Sequence, residues 1–418
     1  MPKDTRRAGG TGTIYKKTVT RNGKEYTYWE SQATVGYNMG TGKQIRKTFT
    51  GKTQKEVREK MQAAAAAVQS GDYFEPARMT VEEWAIIWLD EYCGDKKYAT
   101  TKHYRAQCVT HIIPALGAVK LAKLTTPQVQ KFYNELGKTG KTTTRKDKKT
   151  GKTVVSRSPL SSKSIKNIHC ILSKCLNTAV EVGYIRDNPA ARAKLPKVER
   201  KEINPLTDDQ VKAFLKLLEG HELEHLYKTI LFTGLRESEA IGLTWDCVDF
   251  EKGVLKINKQ LQKRPVKDGG YTFAPLKNDK TRMLTVPPFV VETLKERQAQ
   301  QLQDRFSAGE LWQGFQSAKD QKKGLVFTTK LGEPWNPKVI YLRYKKLAAQ
   351  IDAPESRVHD LRHTYAVLSL QNGDDVKTVQ GNLGHATAAF TLDVYGHVSE
   401  RMKEDSAARM QAYITNIV

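Results

Sequence analysis

The chain is 418 residues long, with 69 Lys and Arg against 45 Asp and Glu, a formal charge of +24. That length exceeds one ordinary core and implies two or three domains, while the cation excess points to a polyanionic partner, most commonly nucleic acid. The opening MPKDTRRAGG lacks the apolar run of a signal peptide and no stretch of 18 apolar residues follows, which excludes a helical span and argues for an intracellular protein with no membrane partner.

Residues 1–75 alternate strand and turn signals. The runs 13–20, 25–36 and 43–50 are rich in Thr, Val, Ile and aromatics, with Asn22-Gly23 and Asn38-Met39-Gly40 between them. They predict a three-stranded antiparallel meander. Thr53 and Glu56 predict a capping box for a helix reaching about Ser70. Fourteen basic residues against six acidic ones from 1 to 72 make this a basic module. Lys16, Lys17, Arg21, Lys24, Arg46 and Lys47 are its candidate DNA-binding residues, on a sheet able to enter a major groove.

Residues 76–191 carry helical periodicity. Pro76 and a Thr80–Glu83 box open a helix with Trp84, Ile87 and Trp88. Further helices are expected over 101–111, from Thr126, and over 162–182 with Ile165, Ile168, Leu172, Leu176 and Ala179 on one face. Four helices without a strand signal predict an all-α bundle. Between the last two, 138–158 hold eight Lys and Arg against Asp147 alone. A flexible or hairpin loop is expected there, with Lys146, Lys148 and Lys149 placed to meet phosphates. Residues 192–204 are charged, contain Pro196 and serve as a linker.

Residues 205–418 mix helices with short strands. Thr207 and Gln210 cap one helix, and an apolar TILFTGL ends at Gly234 and delivers Arg236. Strands are expected over 253–259, 271–276 and 282–286, and again at LVFTT. No chemistry is assigned to the polar stretch 298–323. A helix is expected around 339–351. In RVHDLRHTYAVLSLQ, Leu361, Tyr365 and Leu368 form one stripe, and His359 and Arg362 share another face. Gly384-His385 breaks a short helix, and Thr387 can cap another that carries Tyr395. The tail, 400–418, predicts an amphipathic helix with Met410, Ile414 and Ile417 on one side.

Arginine forks and histidine donors suit a phosphate whose charge grows in a pentacoordinate transition state, and a tyrosine hydroxyl can form a phosphoester. His359 and His363 at i, i+4 are a weak metal pair, disfavoured by Arg362 beside them, so no metal is expected. The five cysteines include no CxxC, which argues against a zinc knuckle or a disulfide framework.

HxxR at 359–362, LGH at 383–385, a tyrosine ten residues beyond that histidine, and the earlier TGLRESEAIGL at 233–243 together resemble the signature of the tyrosine recombinases, the phage-integrase family. Within that family the chain resembles the integrases of conjugative transposons and temperate phages. The resemblance implies a multidomain α+β protein: an arm-type DNA-binding domain (1–75, small sheet plus helix), a helical, SAM-like core-binding domain (76–191), the linker, and a mainly α catalytic domain with a small β-sheet and tail helix (205–418).

It further implies a site-specific DNA recombinase in which Tyr395 is the nucleophile and forms a 3′-phosphotyrosyl bond. Arg236, Arg362 and His385 stabilise the phosphate, His359 positions groups or carries a proton, and Lys277 protonates the leaving oxygen, with Lys280 as the alternative. No cofactor is implied, and no Walker loop is present. Implied partners are double-stranded DNA with core-type and arm-type sites, copies of the chain in a tetramer, and an accessory excision factor, in a bacterial cytoplasm at the nucleoid. The competing readings are a type IB topoisomerase and a non-catalytic DNA-binding regulator.

Overall fold

The computed structural model describes residues 13–21, 24–37, 44–69, 79–146, 153–199, 204–265, 270–277, 280–315, 324–384 and 400–417. They fall into two compact units, 1–200 and 201–418.

The first unit opens with the expected meander: β1 (Tyr15–Arg21), β2 (Lys24–Tyr37) and β3 (Gln44–Gly51) in order 1-2-3, all antiparallel. Both predicted turn centres lie outside the described residues. Helix α1 (Gln54–Gln69) packs Val57 and Met61 on Phe49, Trp29 and Ala33 of one sheet face. Its cap differs in one bond from the predicted box. Thr53 Oγ1 accepts from the Glu56 amide at 3.2 Å, but the Glu56 carboxylate takes the Lys52 amide at 2.9 Å.

The pleat divides the candidate cations, because directly paired residues share a face. Lys16 pairs with Trp29 and Lys47 with Ala33, on the helix-facing side, so the set does not form one basic face. Lys17, Lys24 and Arg46 take the opposite face, and Lys17 is ion-paired there with Glu30 at 3.1 Å.

A second, separate core in this unit is helical: α2 (Val81–Glu91), α3 (Tyr98–Gln107), a π-turn (Cys108–Ile112), α4 (Ile113–Leu116), α5 (Thr126–Thr139) and α6 (Ser162–Glu181). The Thr80–Glu83 box forms as predicted. Trp84 and Trp88 are buried and donate from their indole N–H groups to the Cys175 carbonyl (2.9 Å) and Thr178 Oγ1 (3.2 Å), tying α2 to α6. Ile87, expected beside them, faces outward. The all-α expectation needs a correction. Between α5 and α6 stands an antiparallel ribbon, β4 (Lys141–Lys146) with β5 (Thr153–Ser158), because KTTTRK and TVVSRS are β-branched runs that pair in register. Lys146 ends β4; Lys148 and Lys149 lie outside the described residues.

The second unit contains α7 (Asp208–Leu218), α8 (Glu224–Thr233), α9 (Glu237–Ala240), β6 (Val248–Asp249), β7 (Val254–Ile257), β8 (Gln260–Lys263), β9 (Tyr271–Ala274), β10 (Arg282–Thr285), α10 (Pro288–Ala308), α11 (Pro337–Gln350), α12 (Val358–Gln371), α13 (Val376–Leu383) and the tail helix α14 (Glu400–Ile417). Phe214, Tyr227 and Tyr344 meet edge-on or tilted in its core, where the Tyr227 hydroxyl donates to the Ile340 carbonyl at 2.7 Å.

One expectation fails here. LVFTT makes only isolated bridges, Thr244 to Leu325 and Thr328 to Pro334, and is no strand. Residues 298–308 belong to α10, a 21-residue helix that buries only Val290, Thr293, Leu294 and Arg297, so its polar surface hides the period. No helix among the described residues is long and apolar enough to cross a membrane.

Candidate active site

Two helices end on glycine where the boxes predict them to. α8 stops at Gly234 and α13 at Gly384, each at φ 63°, the left-handed cap that other residues resist. Gly234 also has no room for a side chain: a Cβ would come 2.4 Å from Tyr365 Cδ1 and 2.7 Å from Leu383 Cδ2. The ends of α8 and α13 therefore meet against α12 at this point.

Past Gly234 the chain turns so that Arg236 caps α9 and Glu239 follows on its inner side. Glu239 is almost fully buried. Its carboxylate accepts from Arg236 Nη1 (2.7 Å), the Arg236 amide (3.1 Å), Arg282 Nη2 (2.7 Å) and Arg282 Nη1 (3.3 Å). Burial by itself would raise this carboxyl; the hydrogen bonds and charges of Arg282, then Arg236, outweigh it and hold the group at about 2. The neighbouring Glu237 carboxyl, with only burial acting on it, is pushed up to about 7.

Three arginines converge on three successive carbonyls at the end of α13. Arg282 Nε donates to Asn382 O (2.9 Å), Arg362 Nη2 to Leu383 O (2.6 Å) and Arg236 Nη2 to Gly384 O (3.3 Å). Helix C-termini leave carbonyls unpaired and carry partial negative charge, so cations are favoured there. Arg362, 2% exposed, also donates to Gly234 O at 2.6 Å and so ties the two glycine-ended helices together.

His359 stands on α12 with its side chain open to solvent although the ring is crowded, and His363 meets it edge-on at 4.8 Å. Desolvation by the surrounding protein, then the charges of His363 and Arg362, bring its imidazole down to about 4; burial likewise lowers His363. His359 is thus neutral near pH 7 and can accept or donate one hydrogen bond.

Lys277 and Lys280 are both exposed, between β9 and β10. Among the described residues these strands do not pair with each other: β9 pairs with β8, whereas β10 pairs with β7 in a different sheet. His385 and Tyr395 lie outside the described residues. The structure therefore brings Arg236 and Arg362 together, sets His359 on the same helix as Arg362, and puts the two lysines on the segment leading into Arg282. Arg282 and Asn382 are the members that sequence reasoning missed. Asn382 Nδ2 also donates to the Tyr365 hydroxyl at 3.1 Å. No motif marks either residue; the only signal is that Arg282 follows the lysines by a few residues.

The chain is similar to known proteins over most of its length. Residues 204–402 match the model of the phage integrase family, and 80–137 match the phage integrase N-terminal SAM-like domain. A XerC-like tyrosine recombinase of Caldanaerobacter subterraneus subsp. tengcongensis is 29% identical over 94% of this chain and 97% of its own. The ICEBs1 integrase of Bacillus subtilis is 24% identical, covering 91% of this chain and 96% of its own. Among solved structures, the Tn1549 transposon integrase in complex with transposon right end DNA superposes with a TM-score of 0.63 at 21% identity, over 80% of this chain and 100% of that one. A lambda integrase tetramer bound to a Holliday junction gives 0.51 at 18%, over 94% and 99%.

Proposed function

Because this chain belongs to the phage integrase family and is a tyrosine-type site-specific DNA recombinase, we propose that Tyr395 attacks a phosphodiester of its target DNA. The Tyr395 oxygen forms a bond to phosphorus as the P–O5′ bond breaks, leaving a 3′-phosphotyrosyl link and a free 5′-hydroxyl. Arg236, Arg362 and His385 stabilise the pentacoordinate phosphate. Neutral His359 takes part in moving the tyrosine proton, and Lys277 protonates the departing 5′ oxygen, with Lys280 as its alternative. The covalent link keeps the phosphoester energy, so a 5′-hydroxyl from a second strand can reverse the step without a nucleotide.

The observation that supports this reading most is the pairing of Arg236 and Arg362, from separate boxes, on adjacent carbonyls of the turn leading into His385. Among the described residues, the buried carboxylates near them are already paired, Glu239 with two arginines and Asp360 with Arg357, so nothing in this donor set calls for a divalent cation.

The partners follow from the relatives. Transposon-end DNA in the Tn1549 complex and a tetramer on a Holliday junction for lambda integrase support double-stranded DNA and a homotetramer here. Residues 1–75 then serve as an arm-type reader and 76–191 as a core-type reader, with 205–418 cutting, in a cell whose mobile element the chain integrates and excises. An accessory excision factor would bias the direction. The test is incubation with two duplexes carrying a candidate attachment site. Covalent adduct together with strands exchanged between the duplexes is expected; adduct with relaxation of supercoils but no exchange would replace this reading with a topoisomerase.

A further inference from the structure

We propose that Arg282, outside the six-residue set, is a positioning residue for strand cleavage: it neutralises Glu239 so that Arg236 keeps its charge for the phosphate, and it fixes the turn before His385. The proposal rests on the reading of Arg236 as a phosphate-binding group.

The contacts are those of a fork. Arg282 meets both oxygens of Glu239, at 2.7 and 3.3 Å, and its Nε reaches the Asn382 carbonyl at 2.9 Å. A guanidinium can make a two-pronged bond and an edge bond together; a lysine ammonium has no such plane. Three elements far apart in sequence are joined through this one side chain: α9 through Glu239, strand β10 itself, and the end of α13. Close packing follows, since a Cβ on Gly384 would lie 3.0 Å from Arg282 Nη1.

The charge count gives the inference its content. Glu239 carries one negative charge and faces two guanidiniums, so the cluster keeps one positive charge for a substrate phosphate. Without Arg282, Arg236 is the one charged partner left to the buried carboxylate among the described residues. The pair is then neutral, and Arg236 is held by the carboxylate at the moment when phosphate charge grows. A side chain that only fills space would not have this effect.

The experiment measures single-turnover adduct formation by full-length protein on a nicked half-site duplex, with gel-shift affinity and thermal unfolding in parallel. The chains compared are wild type, Arg282→Lys, Arg282→Met, Glu239→Gln and the Arg282→Met/Glu239→Gln double variant. Arg282→Met is expected to slow cleavage on the order of 100-fold, because Arg236, then held by Glu239, is lost to the transition state as a donor, with half-site affinity within about threefold. Arg282→Lys is expected to recover little of that. The double variant is expected to cleave at least about tenfold faster than Arg282→Met, because Gln leaves Arg236 its full charge. The double variant also removes the stranded buried carboxylate, so it reports even if Arg282→Met fails to fold. Wild-type rates in Arg282→Met, or a double variant as slow as Arg282→Met or slower, would overturn the proposal. No adduct from wild type would instead overturn the recombinase reading on which it rests.

Discussion

The sheet of the first unit and the arginine cluster of the second carry the same charge in opposite settings. On the sheet, Lys17, Lys24 and Arg46 share an open face, and the ion pair of Lys17 with Glu30 leaves the Lys17 side chain 45% exposed. In the cluster, the Arg236 and Arg282 side chains are 22% and 11% exposed, Arg362 is buried, and each is fixed by a carbonyl at the end of α13. Open cations attract a polyanion through counterion release, in graded and replaceable amounts. Fixed arginines instead present donors that need no reorganisation as charge develops. Under the proposed function, the first kind of site sets where the protein binds and the second what happens there.

The sharpest way to break this contrast is Arg362→Lys, which keeps the charge and loses the fork. Adduct formation is expected to fall about 10²- to 10³-fold. Stability is expected to drop by about 1–3 kcal/mol, because the buried carbonyl of Gly234 or Leu383 loses its donor. Near-wild-type cleavage in a chemical assay would mean that charge alone suffices and the geometry is idle.

The open face is expected to behave otherwise. Replacing Lys17, Lys24 and Arg46 with alanine together should leave core-site cleavage unchanged. It should flatten the salt dependence of arm-site binding by about 2–3 in the log–log slope, close to one for each phosphate no longer neutralised. An unchanged slope in filter binding from about 50 to 200 mM salt would remove the sheet as a DNA reader.

The tail gives a smaller effect of a third kind. Met410, Tyr413, Ile414 and Ile417 of α14 are all exposed, and a short helix needs a surface on which to bury such a face. With a second copy as that surface, removal of 405–418 should weaken binding to two half-sites several-fold while sparing one half-site. Equal loss on both substrates in a gel-shift titration would place the helix on its own chain.

The last effect is an absence. With its imidazole near 4, His359 stays neutral as pH falls through 6.5 and gains a proton only toward pH 4, where cleavage should fade. The charged and titratable groups that face it are His363, Arg362, Arg357 and Asp360. A rate profile with an inflection near 6.5 that disappears in His359→Gln would contradict this. An inflection near 7 that survives that change and is lost in Glu237→Gln belongs to Glu237.

These regions were not equally legible. Helix starts could be read where Thr80 with Glu83 and Thr207 with Gln210 form their boxes, because both partners lie within one turn. The ends at Gly234 and Gly384 were legible because glycine there answers a local backbone need. The division of the basic residues between two sheet faces could not be read without the register that pairs Lys16 with Trp29. Arg282 was invisible for the same reason at longer range: its partners are 43 and 100 residues away. The ribbon β4–β5 lay in between, since its threonines and valines favour strands while its lysine density resembles a loop.

The most direct measurement is the site of the covalent bond. Full-length protein is trapped on a nicked half-site duplex, digested with trypsin, and the nucleotide-bearing peptide is sequenced by mass spectrometry. Residues 378–401 form a tryptic peptide whose single tyrosine is Tyr395. The nucleotide is expected on that peptide, and Tyr395→Phe is expected to bind the half-site with unchanged affinity and to give no adduct. An adduct from the Phe variant, or a nucleotide found on another tyrosine such as Tyr365, would contradict the account.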